Sequence, residues 1–148
     1  MNHTADTVHG QGTHGVERAQ MGAGAVKTPP GADRRTLWVL GELVTYKVSS
    51  QRTGRAYALF EVATRAGAGA SPHVHHREDE SFYVLEGEYE FLVESRISRV
   101  RAGSLLYVPK GTLHGHESVD EGVGRMLVTQ TRGPLRALLR GGRHAIRG

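Results

Sequence analysis

The stretch of sequence that constrains this chain most reads PHVHHREDESFYVLEG, from Pro72 to Gly87. With Gly67 ahead of it, it follows the pattern Gly-x5-His-x-His-x4-Glu-x6-Gly. A second stretch, from Gly103 to His114, follows Gly-x5-Pro-x-Gly-x2-His. Three imidazoles and one carboxylate at these spacings are typical of a first-row transition-metal site that leaves a coordination position open.

The chemistry of the first stretch follows from strand geometry. Residues two apart on a strand point to the same face, about 7 Å apart along it. His73 and His75 can therefore each turn one ring nitrogen toward a common point, at about 2.0–2.1 Å from a bound ion. His76 has the opposite parity and is predicted to face away. Glu80 begins the next extended segment, and we expect its carboxylate to reach the same point from a neighbouring strand.

The second stretch supplies the remaining ligand. Pro109-Lys110-Gly111 is a turn signal, and His114 follows it at the start of another extended segment. His116 shares the parity of His114, so it could face the same cavity as a ligand or as a hydrogen-bond donor to one. Four ligands leave about two positions free on a six-coordinate ion. An open site of this kind indicates catalysis or ligand binding, because structural zinc sites are closed.

The two stretches resemble the paired motifs of the cupin superfamily, and the resemblance covers roughly residues 36–131. It implies an all-β chain with the cupin-type double-stranded β-helix, a jelly-roll barrel. It also implies one divalent transition-metal ion (Fe, Mn, Ni, Co, Cu or Zn) held by His73, His75, Glu80 and His114. The second motif often ends in Asn four residues beyond its histidine, where this chain has Ser118.

The run from Pro72 to Gly87 is particularly similar to small quercetin-dioxygenase-like cupins. That similarity implies a dioxygenase acting on an aromatic, flavonol-like or other enolisable small molecule, with Glu80 alternating between ligand and general base. Candidates for an apolar pocket wall are Phe82, Phe91, Tyr107 and Met126. Two alternatives stay open: a non-redox cyclase or isomerase, since some polyketide cyclases have similar motifs, and a barrel that binds a small molecule without turnover.

Composition limits the other classes of function. The 148 residues suit one domain, and the chain has no Cys, which excludes disulfides and thiolate metal sites and fits a cytoplasmic protein. No apolar run approaches the roughly 18–20 residues of a membrane span. The net charge is only +4, with no basic stripe carrying interleaved aromatics. We therefore expect a small-molecule substrate as partner, with no nucleic acid and no membrane.

The sequence predicts three regions. Residues 1–33, rich in Gly, His, Thr and Ala, are expected to form a flexible arm, and residues 34–131 the barrel. Residues 132–148 carry five arginines and no acidic residue, with leucines at positions 135, 138 and 139. This segment is expected to form a short amphipathic helix; a frayed basic end and a contact to an anionic ligand are the alternatives.

Ten short strands are predicted in the barrel region. Tyr89, Phe91 and Val93 share one face, which we expect in the core. The segment from Glu80 is apolar on both faces, so Tyr83 and Leu85 need cover, either from a second subunit in a homodimer or from the chain after residue 36. The predicted strands span residues 36–40, 43–49, 57–64, 71–75, 80–85, 89–93, 98–101, 105–108, 115–118 and 125–131.

Overall fold

The computed structural model describes residues 24–30 and 36–132. Most of the predicted arm, and the predicted helix or tail after residue 132, lie outside the described residues. The chain divides between residues 32 and 33, and the two parts are described separately. In the first part, Gly24 lies in a turn with φ +77°, and Val26 forms an isolated bridge.

The described residues of the second part form ten β-strands. Each predicted strand overlaps one of them, because short apolar runs separated by Gly and Pro mark strands well. No described segment is a helix long and apolar enough to cross a membrane. The strands are β1 Thr36–Val39, β2 Glu42–Val48, β3 Tyr57–Thr64, β4 Gly69–His73, β5 Glu78–Glu86, β6 Glu88–Val93, β7 Arg96–Arg101, β8 Leu105–Val108, β9 His114–Ser118 and β10 Gly124–Arg132.

The strands form two antiparallel sheets. The larger sheet has six strands in the order β1-β2-β3-β10-β5-β8, and the smaller has four in the order β4-β9-β6-β7. Because β5 and β10 lie together while β6 and β9 lie in the other sheet, the chain crosses repeatedly between the two sheets. This all-β arrangement is the cupin-type jelly roll expected from the sequence.

The core lies between the inner faces of the sheets, as strand alternation predicts. Tyr89 and Phe91 are fully buried from the smaller sheet, and Phe82, Val84 and Met126 from the larger. Phe82 packs edge-on against Phe91, with ring centroids 5.1 Å apart. These contacts confirm the prediction that the β6 face carrying Tyr89 and Phe91 is the inner one.

The outer face of β5 is uncovered among the described residues. Tyr83 is 41% exposed and Leu85 is 38% exposed. The prediction that the chain after residue 36 covers them is wrong, because β1 lies at the opposite edge of the larger sheet. β1 pairs with β2 alone, and β2, β3 and β10 stand between it and β5. Cover by a second subunit stays a prediction.

Candidate metal centre

Both sheets contribute to one cluster of His73, His75, Glu80 and His114. His73 ends β4 and pairs with His114 at the start of β9, so two imidazoles of the smaller sheet lie side by side. Glu80 is the third residue of β5 and faces inward from the larger sheet. The sequence predicted a neighbouring strand for Glu80. In the structure, the strand of Glu80 instead belongs to the other sheet from that of His73 and His114, so the cluster lies between the two sheets.

His75 reaches the cluster from beyond the end of β4, not from a regular strand as predicted. A bulge shifts the register between Ala70 and His73 against β9. His75 is then fixed from the second motif: the Gly111 N–H donates to the His75 carbonyl at 2.8 Å. The Lys110 N–H likewise donates to Asp79 Oδ1 at 2.9 Å. The turn predicted at residues 109–111 therefore holds the loop that carries His75.

Gly115 lies opposite the bulge and permits it. A Cβ there would stand 2.8 Å from the Ala70 carbonyl oxygen and 2.9 Å from the Pro72 nitrogen, closer than real Cβ contacts. Pro72 is tolerated because a bulged residue needs no ladder hydrogen bond. Only glycine between His114 and His116 lets β4 approach this closely.

Hydrogen bonds orient the imidazoles toward one point. His73 Nδ1 lies 2.7 Å from the Ser71 carbonyl, and His114 Nδ1 lies 3.0 Å from the Thr112 carbonyl. Each Nδ1 therefore carries the proton, which leaves Nε2 as the ligand atom. His76 is exposed and outside the cluster, as its parity predicts.

The spacing of the four donor atoms fits a metal ion. His73 Nε2 lies 3.1 Å from His75 Nε2, and Glu80 Oε2 lies 2.7 Å from His114 Nε2 and 3.4 Å from His75 Nε2. All four donors lie within 4.8 Å of one another. Adjacent ligands at about 2.1 Å from one ion stand about 3 Å apart when they meet at right angles. The cluster could therefore hold a divalent ion, in agreement with the ligand set expected from the sequence.

The electrostatics of the cluster favour an ionised carboxylate. Burial alone would raise the pKa of Glu80. Hydrogen bonds from His114 and Gln130, together with the charges of His75 and His114, outweigh burial and lower the pKa. Burial lowers the pKa of His114, yet the Glu80 and Thr112 hydrogen bonds overcome this and raise it. An ion at this point would require His114 Nε2 to be unprotonated and would pair with the Glu80 carboxylate in its place.

Gln130 is a site residue that the sequence reasoning missed. Its Nε2 donates to Glu80 Oε1 at 2.6 Å, while Glu80 Oε2 faces the histidines. Gln130 pairs with Glu80 across β10 and β5 and shares the inward parity of Met126 and Val128. A polar residue at the end of that apolar series was the available signal.

His116 faces inward but belongs to a separate polar network. Its Nε2 lies 2.7 Å from Glu42 Oε1, which also accepts from Thr64 Oγ1 at 3.0 Å. The Tyr89 hydroxyl donates to Thr64 Oγ1 at 3.1 Å, and burial raises the pKa of Tyr89 to about 12. The sequence left open whether His116 is a ligand or a donor to one. It is not a member of the four-residue cluster, and its Nε2 is engaged by Glu42 on β2, a partner that the sequence did not reveal.

The predicted apolar pocket wall is not formed by its four candidates. Tyr107 is 51% exposed on the outer face, since its neighbours Leu106 and Val108 take the inward positions of β8. Phe82, Phe91 and Met126 are buried in the core. Phe82 does border the cluster, with its ring centroid 5.9 Å from that of His114. It contributes an apolar floor rather than an open wall.

Residues 60–130 match the family model described as Cupin domain, so this part of the barrel is a cupin domain. The chain is also 32% identical over 50 residues to an uncharacterised protein of Aquifex aeolicus (strain VF5). That match spans 34% of this chain and 41% of the relative, less than half of either.

Solved structures of the same fold come from several organisms. The cupin domain of Schizosaccharomyces pombe Cnp3 has a TM-score of 0.65 at 18% identity, covering 79% of this chain and 82% of that one. A predicted oxalate decarboxylase of Thermotoga maritima has a TM-score of 0.59 at 20% identity, covering 62% of this chain and 80% of that one. The polyketide cyclase RemF of Streptomyces resistomycificus has a TM-score of 0.55 at 24% identity, covering 64% of this chain and 68% of that one. At these identities the likeness is one of fold.

Proposed function

We propose that this cupin is a metal-dependent enzyme that acts on a small enolisable molecule, with dioxygenation as the leading reaction. The observation that carries the proposal is the convergence of three imidazole Nε2 atoms and one carboxylate oxygen at spacings that suit one ion. When bound, a redox-active divalent ion would bind an enol or enolate oxygen of the substrate and support reaction with O2.

The chain's own residues supply positioning and proton handling. His73 and His114 are held by carbonyl oxygens, so their Nε2 atoms stay fixed. Because its pKa is lowered, Glu80 is ionised at neutral pH and can accept a proton from a substrate hydroxyl. Gln130 Nε2 holds the second carboxylate oxygen and limits how far Glu80 turns. Glu80 thus acts as metal ligand and catalytic base in this proposal.

The second candidate is a non-redox cyclase or isomerase. It is supported by the same Glu80 carboxylate, held between His114 and Gln130, because an oriented base beside an ion suits proton transfer without oxygen. In that reaction a redox-inactive ion such as Zn²⁺ would suffice. Binding of a small molecule without turnover is the third outcome.

One experiment separates these candidates. Elemental analysis of untagged protein gives the metal, and oxygen uptake is then screened over flavonols and smaller enols with Fe²⁺-, Mn²⁺-, Ni²⁺- and Zn²⁺-loaded protein. Substrate turnover that is accompanied by oxygen uptake, and that stops under anaerobic conditions and in Glu80→Gln, supports the dioxygenase. Turnover that persists without oxygen, or with Zn²⁺, supports the cyclase or isomerase. Recovery of every compound intact from the metal-loaded protein contradicts an enzyme.

A further inference from the structure

A cavity of about 280 Å³ lies one side chain away from the metal cluster. Gln130 forms part of its wall and, on the same inner face, pairs with Ala58 on β3 and with Glu80 on β5. Tyr46 and Glu78 line it as well, together with the segment of residues 49–51 that follows β2. A molecule in this cavity therefore contacts the residue that orients a metal ligand.

The wall of the cavity is held in place before any ligand arrives. The Tyr46 ring packs on the core residue Phe60, with ring centroids 5.4 Å apart. Gln130 is fixed by its hydrogen bond to Glu80 Oε1 at 2.6 Å. Because a carboxylate only accepts hydrogen bonds, the amide nitrogen is the atom that faces Glu80. The amide carbonyl oxygen is thus a separate acceptor on the same side chain.

The chemistry of the described lining is polar. It comprises three hydroxyl side chains, two amides and one carboxylate, with Ala58 as its aliphatic member. A flat apolar skeleton would desolvate these groups without pairing them, which costs free energy for each polar group left unsatisfied. Hydroxyl groups, which both donate and accept, match this set.

Resting on the proposed function, we propose that the cavity beside Gln130 takes a small hydroxycarbonyl compound carrying several hydroxyl groups. Its carbonyl end lies toward the metal cluster, and its hydroxyls contact Tyr46, Gln130 and the segment of residues 49–51. The cavity volume lies just below the range of about 300–1,000 Å³ for pockets of drug-sized ligands, which suits a small compound. This substrate class replaces the flavonol-like one within the proposed function.

The test uses the full-length, Zn²⁺-loaded protein and three five-carbon probes: D-xylulose, 2-pentanone without its hydroxyls, and the anion 2-oxopentanoate. Dissociation constants are measured by ligand-detected NMR, with quercetin as the aromatic comparison. D-Xylulose is expected to bind at least about tenfold more tightly than 2-pentanone or 2-oxopentanoate, which corresponds to one or two net hydrogen bonds. Equal or tighter binding of 2-pentanone, 2-oxopentanoate or quercetin would overturn the proposal.

Variants locate the site. Ala58→Leu fills the cavity and is expected to weaken D-xylulose binding about tenfold or more, whereas Ala63→Leu, on the outer face of the same strand, leaves it unchanged. Where Ala58→Leu does not fold, Gln51→Ala on the exposed loop is expected to weaken binding. Unchanged binding in the cavity variants overturns the proposal. Zn²⁺ titration of the unaltered protein is run in parallel. If Zn²⁺ binds but D-xylulose does not, only the proposal about the cavity is overturned. If Zn²⁺ does not bind, the proposed function is overturned.

Discussion

At the scale of single residues, two polar contacts between strands hold buried side chains in place: Gln130 holds Glu80 of the metal cluster, and Glu42 holds His116 of the separate network. His73, His75, Glu80 and His114 stand at fixed offsets from turn glycines, so a local pattern reveals them. Glu42 contacts His116, which is 74 positions away along the chain, and Gln130 contacts Glu80, which is 50 positions away. Contacts of that range depend on which strands pair, and strand order cannot be read from local spacing.

The buried pair of Glu42 and His116 gives a prediction about stability. Both side chains are over 90% buried, so Glu42→Ala leaves the His116 and Thr64 donors without their acceptor. We expect the free energy of unfolding in urea to fall by about 3 kcal/mol or more. The control is Glu90→Ala, which removes an exposed ion pair with Arg99 and should cost far less, because solvent screens exposed charges. Equal losses in the two variants would contradict a buried network.

The coupled pair of Glu80 and His114 predicts how the metal-free protein responds to pH. The lowered pKa of Glu80 gives stability that is present above its unfolded value of 4.5 and is lost as pH falls through the folded value. The raised pKa of His114 gives stability that is full below 6.5 and is lost as pH rises through the folded value.

The melting temperature of the metal-free protein should therefore be highest between these two limits. In Glu80→Gln, differential scanning fluorimetry should show a flatter profile over the same pH range, because the variant has no carboxylate to pair with His114. A profile identical to that of the unaltered chain would mean that the pair does not couple to folding.

At the scale of elements, all ten strands were located from the sequence, but the bulge in β4 was not. The predicted strand 71–75 is displaced to Gly69–His73, with a bulge that no local propensity indicates. Tyr107 was misplaced for a different reason: it was chosen for its ring, although alternation with Leu106 and Val108 puts it on the outer face. The alternation of inward and outward side chains along the strand predicts the position of Tyr107 correctly.

The bulge in β4 predicts an effect of Gly115→Ala. The added methyl would press on Ala70 and Pro72 and shift the segment that ends in His73. We expect a loss of about 1–3 kcal/mol in the free energy of unfolding, together with weaker Zn²⁺ binding. Gly122→Ala, where a Cβ meets no atom within 4 Å, is the control. An unaffected Zn²⁺ affinity in Gly115→Ala would show that the bulge does not position His73.

At the scale of the whole molecule, the outer face of the larger sheet supports the proposed homodimer. Tyr83 pairs across strands with Leu105, which is 63% exposed, and Tyr107 lies next along β8. Adjacent exposed apolar side chains of this size are typical of an interaction surface. The sequence revealed the apolar outer positions, but only the strand order showed that the chain after residue 36 does not cover them.

The dimer is tested by Tyr83→Arg, measured by sedimentation velocity. We expect the unaltered chain to sediment as a dimer and the variant as a monomer, since a buried unpaired charge destabilises an interface. The control is Ile97→Arg, at a 68% exposed position on the smaller sheet. A monomeric unaltered chain, or dissociation by Ile97→Arg instead, would contradict this surface.

The most direct test of the account is the Zn²⁺ affinity of the metal-free protein, measured by competition with a chelator in the unaltered chain, His75→Ala and His76→Ala. The two histidines are neighbours, but only His75 lies in the cluster. We predict one Zn²⁺ per chain, a loss of more than about 100-fold in affinity in His75→Ala, and no change in His76→Ala. No stoichiometric Zn²⁺ binding, or equal losses in both variants, would contradict the metal centre.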